Sequence, residues 1–545
     1  MRARVIVLAW LALAGAVCGQ TLEGRVKTHV LKNGMTFLLM ERHTSPTVAF
    51  YMRFHVGSVD EYNGINGTAH LLEHMLFKGT RTLGTKDYAK EKPLLDTIEQ
   101  VGEELDDARL RAGDKAATDT KVKDLAAKLK ATQDEAHKVV LKDEIDEVYT
   151  KAGGVGFNAS TNQDLTTYII SLPSNRLEMW ARIESDRMLN PVLREYYSER
   201  DVIMEERRMR TDASPTGTLF EQFGCAAYTT HHYGVPVIGP MSEIKFLSKG
   251  KTEEFRKIYY APNNTVAALV GDFDTEKLIP LLEKYFERIP PQTLPRPPSA
   301  VEPEQIGERR LVVEQDANPT LIAGWHKPNL PHRDDYVFDV ISNLLTDGRS
   351  SRMYRRLVKD LQIAVSVDSF GSYPGSRFPN LFLVMATPRA PHTAEEVEKV
   401  IYEEIERLKN EPIDAKELEK CRNQMEASFV RALDSNEGLS SQLSSYQALI
   451  GDWRYIEQHP KVIRTIDAAE IQKVARKYLV ASNRTVGILV KKKAEDAVEA
   501  IPSPSPGPGP IGGPASPAPG KTPPPSPAGP VTPDKPASPM PGGVK

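Results

Sequence analysis

The stretch "GTAHLLEHMLFKGT", residues 67–80, puts two of the chain's 12 histidines four positions apart, with a glutamate directly before the second. On a helix, positions 70, 73 and 74 fall within an arc of about 100°. His70 and His74 can therefore aim imidazole nitrogens at one ion, with Glu73 beside it. Neutral imidazoles suit zinc, and a carboxylate at that point is where a general base for a metal-activated water is needed. Two histidines that merely share a helix face would give the same letters, so the motif calls for a third ligand. A catalytic zinc takes three ligands from the protein and leaves one position open. The segment "REYYSERDVIMEERRMR", residues 194–210, supplies candidates. Glu199 and Glu206 are seven apart and lie on one helix face, while Glu205 sits about 100° round the helix; spacing leaves Glu205 and Glu206 both open.

These residues need a scaffold. The 545-residue chain, 40% hydrophobic and 26% charged, is long enough for two or more domains. Its formal net charge of −3, with acids and bases interleaved, gives no footprint for nucleic acid. Residues 256–270, "RKIYYAPNNTVAALV", overlay residues 476–490, "RKYLVASNRTVGILV", at one constant offset, with Arg, Lys, Ala, Asn, Thr, Val, Leu and Val coinciding. An internal duplication follows. In each copy a polar-faced helix runs into a β-branched strand, and each half opens on alternating strands: "THVLKNGMTFLLMERH" and "TVAFYMRFHVGSV" in the first, "RRLVVEQD" and "TLIAGWHK" in the second. The expected fold is α+β, two homologous sandwich-like α/β domains.

Composition divides the chain further. Residues 1–20 carry Arg2 and Arg4 before an apolar run too short to span a bilayer, and read as a secretory signal peptide. A lipoprotein anchored at Cys18 is the competing reading. The mature protein is then expected to be extracytoplasmic, in a bacterial periplasm, with no transmembrane segment. Only Cys225 and Cys421 remain, and whether they pair is left open. The first domain is assigned to residues 24–288, a Pro-rich linker to 289–305, the second domain to 306–497 and a disordered Pro-rich tail to 501–545. Within the first domain, residues 86–153 form a charged insert with helical periodicity and a turn at "AGD", an antiparallel helical hairpin whose charged face is solvated.

The motif HxxEH followed downstream by "ERDVIMEE" resembles the inverted-motif zinc peptidases of the pitrilysin family, which includes insulysin and the mitochondrial processing peptidase. The resemblance runs from about residue 24 to 493 and takes in the duplication and the linker. It implies a zinc metalloendopeptidase built as half of a clamshell, with one Zn2+ per chain on His70, His74 and Glu206. Glu73 becomes the catalytic base and Glu199 the carboxylate that orients a ligand histidine. "GGVGFNASTNQDLTTYII" resembles the family's active-site edge strand, which places Asn158 and Ala159 against the substrate backbone through strand addition. "HHYGVPVIGP" also fits the family, although neighbouring histidines on a loop, His231 and His232, rarely share an ion.

Overlaying Gly79 on Gly348 sets Asp339, Ser342 and Asn343 where His70, Glu73 and His74 stand, so the second copy has no zinc site. Active family members carry an Arg and a Tyr in the second half that bind the substrate carbonyl; here Val358 and Val365 occupy those positions, and neither can donate a hydrogen bond. The resemblance therefore implies the zinc-bearing subunit of a heterodimer acting on peptides or unfolded segments. A homologous non-zinc chain would supply Arg and Tyr. The alternative is a non-catalytic structural or peptide-binding homologue.

Overall fold

A computed structural model describes residues 22–492 apart from Ser299. The segments read as a signal peptide and as a Pro-rich tail lie outside the described residues. Two sheets carry the fold. The first contains β1 (Val26–Val30), β2 (Thr36–Glu41), β3 (Thr47–Phe54), β4 (Val155–Thr161), β5 (Thr166–Pro173) and β6 (Thr265–Gly271), in the order β1-β2-β6-β3-β5-β4. The second contains β7 (Arg309–Gln315), β8 (Thr320–Lys327), β9 (Ala364–Tyr373), β10 (Asn380–Pro388) and β11 (Arg484–Lys491), in the order β7-β11-β8-β10-β9. Apart from the additional β1, the orders correspond strand for strand. Each sheet has one parallel pair, β2 with β6 and β11 with β7, and the other pairs are antiparallel. The duplicated "RTV" and "NTV" segments are thus equivalent interior strands.

Eight helices matter to the site and its support: α1 (Thr68–Met75), α2 (Tyr88–Ala112), α3 (Thr120–His137), α4 (Glu144–Lys151), α5 (Tyr196–Arg207), α6 (Pro215–Ala227), α7 (Arg333–Thr346) and α8 (Asn436–Ile450). The insert pairs its two long helices, α2 and α3, as the expected hairpin, and the short α4 follows before β4. Asp87 caps α2 by accepting from the amides of Ala89 and Lys90, and Gly113, at φ 54, ends it. Ile98, Val101 and Leu105 on α2, and Val122 and Leu129 on α3, join the same core as Phe50, Leu71, Leu72 and Ile203. Two insert acids also turn inward. Glu91 pairs with Arg194 at 2.5 Å and Asp106 with Arg200 at 2.6 Å. The insert is therefore bolted to the segment that carries α5, while others of its charges form exposed i,i+4 pairs on a solvated face.

Strands β3, β6, β8 and β10 are buried almost throughout, which requires cover on both faces. The cover is exchanged between halves. From the first half, α6 lays Leu219, Phe223 and Ala227 on Ile322, Leu381, Leu383 and Leu489 of the second sheet. From the second half, α8 lays Leu439 and Leu443 on Leu38, Met40, Ala268 and Val270 of the first. Gly324 and Gly487 make the first contact possible, since a Cβ on Gly324 would stand 2.8 Å from Phe223 Cζ. Under α8 the buried Arg53 donates to Ser444 Oγ at 2.9 Å and Thr167 Oγ1 at 2.7 Å, and burial pulls its guanidinium down to about 10. Among the described residues no helix is long and apolar enough to cross a membrane.

Candidate metal centre

Helix α1 starts where Gly67 adopts φ 94, a conformation open to glycine, against Ile238 O. Its apolar positions Leu71, Leu72 and Met75 are buried in the core, so the remaining arc, with His70 and His74, turns toward α5. On α5, Ile203 and Tyr196 anchor the buried face and present Glu199 and Glu206 to α1. His70 Nε2 lies 3.8 Å from Glu206 Oε1, and His74 Nε2 lies 3.7 Å from Glu206 Oε2. These separations can be spanned by two ligand bonds of about 2.1 Å each. The ligand atoms of His70, His74 and Glu206 all lie within 4.8 Å of one another, and each side chain is largely buried. Two imidazole nitrogens and one carboxylate oxygen are a zinc donor set, so the residues fit the ion that the sequence implies.

Burial and hydrogen bonds around these groups set their charge and orientation. His74 Nδ1 donates to Glu199 Oε1 at 3.0 Å, which leaves the Nε2 lone pair facing Glu206. Glu199 is bound through its other oxygen by Lys78 Nζ at 2.6 Å. Burial opposes the charge on Glu199, but the hydrogen bonds from His74 and Lys78 outweigh it and bring the carboxyl down to about 2. Burial, with the His74 and Arg210 charges adding to it, drives His70 down to about 3, so this imidazole is neutral at physiological pH. Glu73 is moved the other way. Burial raises its carboxyl, and the 2.6 Å hydrogen bond from Thr161 Oγ1 to Oε2 only partly offsets this.

Glu205, which spacing left open as a ligand, is exposed and pairs with Arg208 at 2.8 Å. Arg210, four residues after Glu206, places Nη1 2.7 Å from Glu206 Oε1. His231 and His232 stand apart from the cluster: His231 Nδ1 accepts from Tyr233 N at 3.2 Å, and His232 Nε2 meets Asn66 Oδ1 at 2.8 Å. Cys225 and Cys421 are both unpaired. Asn158 and Ala159 lie on β4, the outer strand of the first sheet, opposite Ile169 and Tyr168. Three contributors escaped the sequence reading. Thr161 is two residues beyond Ala159 and so on the same face of β4; Lys78 is one helical turn past His74; Arg210 is one turn past Glu206. Periodicity could have flagged each, but none has a distinctive motif. In the second half, Asp339 on α7 is held by His459 at 2.8 Å, Val365 is exposed on the outer strand β9, and Val358 packs on the core.

Two family descriptions match the chain: Insulinase (Peptidase family M16) over residues 36–140 and Peptidase M16 inactive domain over residues 247–425. The zinc protease PqqE of Helicobacter pylori is 26% identical over 485 residues, covering 88% of this chain and 95% of its own length. The uncharacterized zinc protease YmxG of Bacillus subtilis is 22% identical over 452 residues, covering 82% and 94%. Among solved structures, a protease from Helicobacter pylori aligns with a TM-score of 0.71 at 26% identity, over 86% of this chain and 99% of that one. The periplasmic protease PqqL from Escherichia coli shares the fold at 16% identity and a TM-score of 0.64, but the match covers 86% of this chain and only 47% of that one.

Proposed function

Since this chain belongs to the insulinase family of peptidases, peptidase family M16, we propose that it is a zinc-dependent endopeptidase for peptides or unfolded segments, with its metal on His70, His74 and Glu206. The observation that carries this reading is the convergence of two imidazole nitrogens on the two oxygens of Glu206, with Glu73 on the same short helix. Zinc bound there supplies Lewis acidity, which acidifies a water to a pKa of about 7 and polarises a carbonyl. The remaining work falls to the protein. Glu73 Oε1 takes a proton from the attacking water and returns it to the leaving amine, while Thr161 holds Oε2. The outer edge of β4, at Asn158 and Ala159, offers main-chain hydrogen bonds to an extended substrate.

The chain is further proposed to work in the periplasm as the catalytic member of a heterodimer. Val358 and Val365 offer no donor to a substrate carbonyl, and this chain matches about half of PqqL, so a second, homologous chain is the economical source of the missing Arg and Tyr. The same two valines also support the rival reading, a non-catalytic scaffold. Metal analysis combined with Glu73→Gln separates the two. One zinc per chain in both proteins, with hydrolysis lost only in the variant, is the expected result; a metal-free wild type or an active Glu73→Gln protein would refute the proposal. Loss of zinc with Glu205→Gln but not Glu206→Gln would overturn the ligand assignment.

A further inference from the structure

Among the described residues the second half gathers no metal-ligand cluster of its own, yet it reaches into the support of the first half's site. The connection between β9 and β10 carries Gly375, Ser376 and Arg377 against the first half. Arg377 Nη1 donates to both oxygens of Asp60, at 3.0 and 2.9 Å, in a pair whose side chains are only 11% and 3% exposed. The Ser376 and Arg377 amides donate to Asp164 Oδ2 at 2.6 and 3.2 Å, and Tyr233 Oη donates to Asp164 Oδ1 at 2.5 Å. A side chain at Gly375 would strike Tyr233 Oη and Asp164 Oδ2, so the approach is close by construction.

Both anchors lie next to the site. Asp60 precedes Glu61, a buried carboxylate that accepts from Gly67 N at 2.9 Å and Ala69 N at 2.6 Å, fixing the first turn of α1 directly before His70. Asp164 sits in the turn that follows Thr161, the residue that holds Glu73. The two anchors are also joined to each other, since Ser58 N and Val59 N donate to the carbonyls of Asn162 and Gln163 at 3.2 and 2.9 Å. One hairpin tip thus grips the entry to the metal-binding helix and the exit of the edge strand together.

We propose that Arg377 is a positioning residue: through Asp60 and Asp164, the second half sets the placement of α1 against β4, and with it the donor geometry of His70, His74 and Glu206. The proposal rests on the zinc-peptidase reading for its metal readout, although the placement of α1 can be read without metal. Removing one charge alone would leave its partner buried and unpaired, so the informative protein is the double variant Arg377→Met/Asp60→Asn. The reference is Leu443→Ala, which loosens the layer that α8 lays on the first sheet without touching Arg377, Asp60 or Asp164.

Zinc affinity by chelator competition, the visible spectrum of the cobalt-loaded protein, and amide exchange across residues 66–72 are measured on the full chain. The double variant is expected to bind zinc about tenfold more weakly, to shift the cobalt bands, and to exchange faster at Ala69 and His70. Leu443→Ala, even with the larger fall in melting temperature, is expected to leave all three unchanged. Unchanged exchange and zinc affinity in the double variant overturn the proposal, as does an equal effect of Leu443→Ala. A wild type that binds no zinc refutes the peptidase reading instead, and the exchange data still decide the role of Arg377.

Discussion

Replacing Glu199 with Gln tests how the proposed metal centre is held. The carboxylate accepts from His74 Nδ1 at 3.0 Å and from Lys78 Nζ at 2.6 Å, and these two bonds keep it ionised against burial. A glutamine keeps the shape but loses the charge. If its oxygen stays on His74, its amide NH2 faces the Lys78 ammonium; if it flips to satisfy Lys78, the NH2 meets Nδ1 and drives the proton to Nε2, the ligating nitrogen. Either way one charge-assisted hydrogen bond is lost, about 1.5–3 kcal/mol. At 1.4 kcal/mol per decade this weakens zinc binding by about 10–100-fold, the range typical of partners that orient a ligand histidine. Chelator competition at pH 7.5 measures the effect, with Glu205→Gln as the control expected to change nothing. A Glu199→Gln protein that binds zinc within about threefold of wild type would refute the reasoning that His74 is oriented through Nδ1.

Acid stability should report on His55. Burial, reinforced by the Arg377 charge, pulls its imidazole down to about 4, and Nε2 is buried without a partner. An unfolded histidine takes up its proton near pH 6.5, so the stability that neutral His55 contributes is complete above 6.5 and is lost as pH falls toward 4. Between pH 7 and 4.5, urea unfolding of wild type should lose about 2–3 kcal/mol more than that of His55→Leu. Gly324→Ala should cost about 1–3 kcal/mol by crowding Phe223, with Phe223→Leu restoring part of the loss in the double variant. Asp106→Asn strands Arg200, which is 3% exposed, and should lower stability by about 3–5 kcal/mol in a denaturant titration.

Much of the site could be read from the sequence because its groups are local. His70, Glu73 and His74 share one turn of helix, Glu199 and Glu206 share one face of another, and helical periodicity converts both spacings directly into geometry. The choice of Glu206 over Glu205 was not local. It depends on which face of α5 meets α1, and that is set by the burial of Ile203 and Tyr196. The duplication foretold two equivalent sheets, since β6 and β11 carry the matching residues. Charge content argued that the insert is solvated, and for most of its acids it is. Glu91 and Asp106 escaped that argument because their arginine partners lie over ninety residues away. Arg377 was invisible for the same reason: a lone arginine in a hairpin tip has meaning only once Asp60 and Asp164 are beside it. Gly324 and Gly487, isolated glycines within apolar strands, are a sequence trace of the layer that α6 lays on the second sheet.

That exchange changes what the Pro-rich linker is for. A protease cut within residues 289–305 would yield two fragments, each still wearing a layer lent by the other, and parting them would bare Leu38, Met40, Ala268 and Val270 on one and Ile322, Leu381, Leu383 and Leu489 on the other. The linker is therefore not the main fastener, although Glu302 within it accepts from the amides of Thr229, Thr230 and His231 and Gln305 donates to Arg484 O. It acts on assembly, since tethering makes the correct half far more concentrated than any half from a neighbouring molecule. Prolines stiffen such a tether and limit its reach, which disfavours the trade of halves between two chains that an exchanged layer otherwise invites.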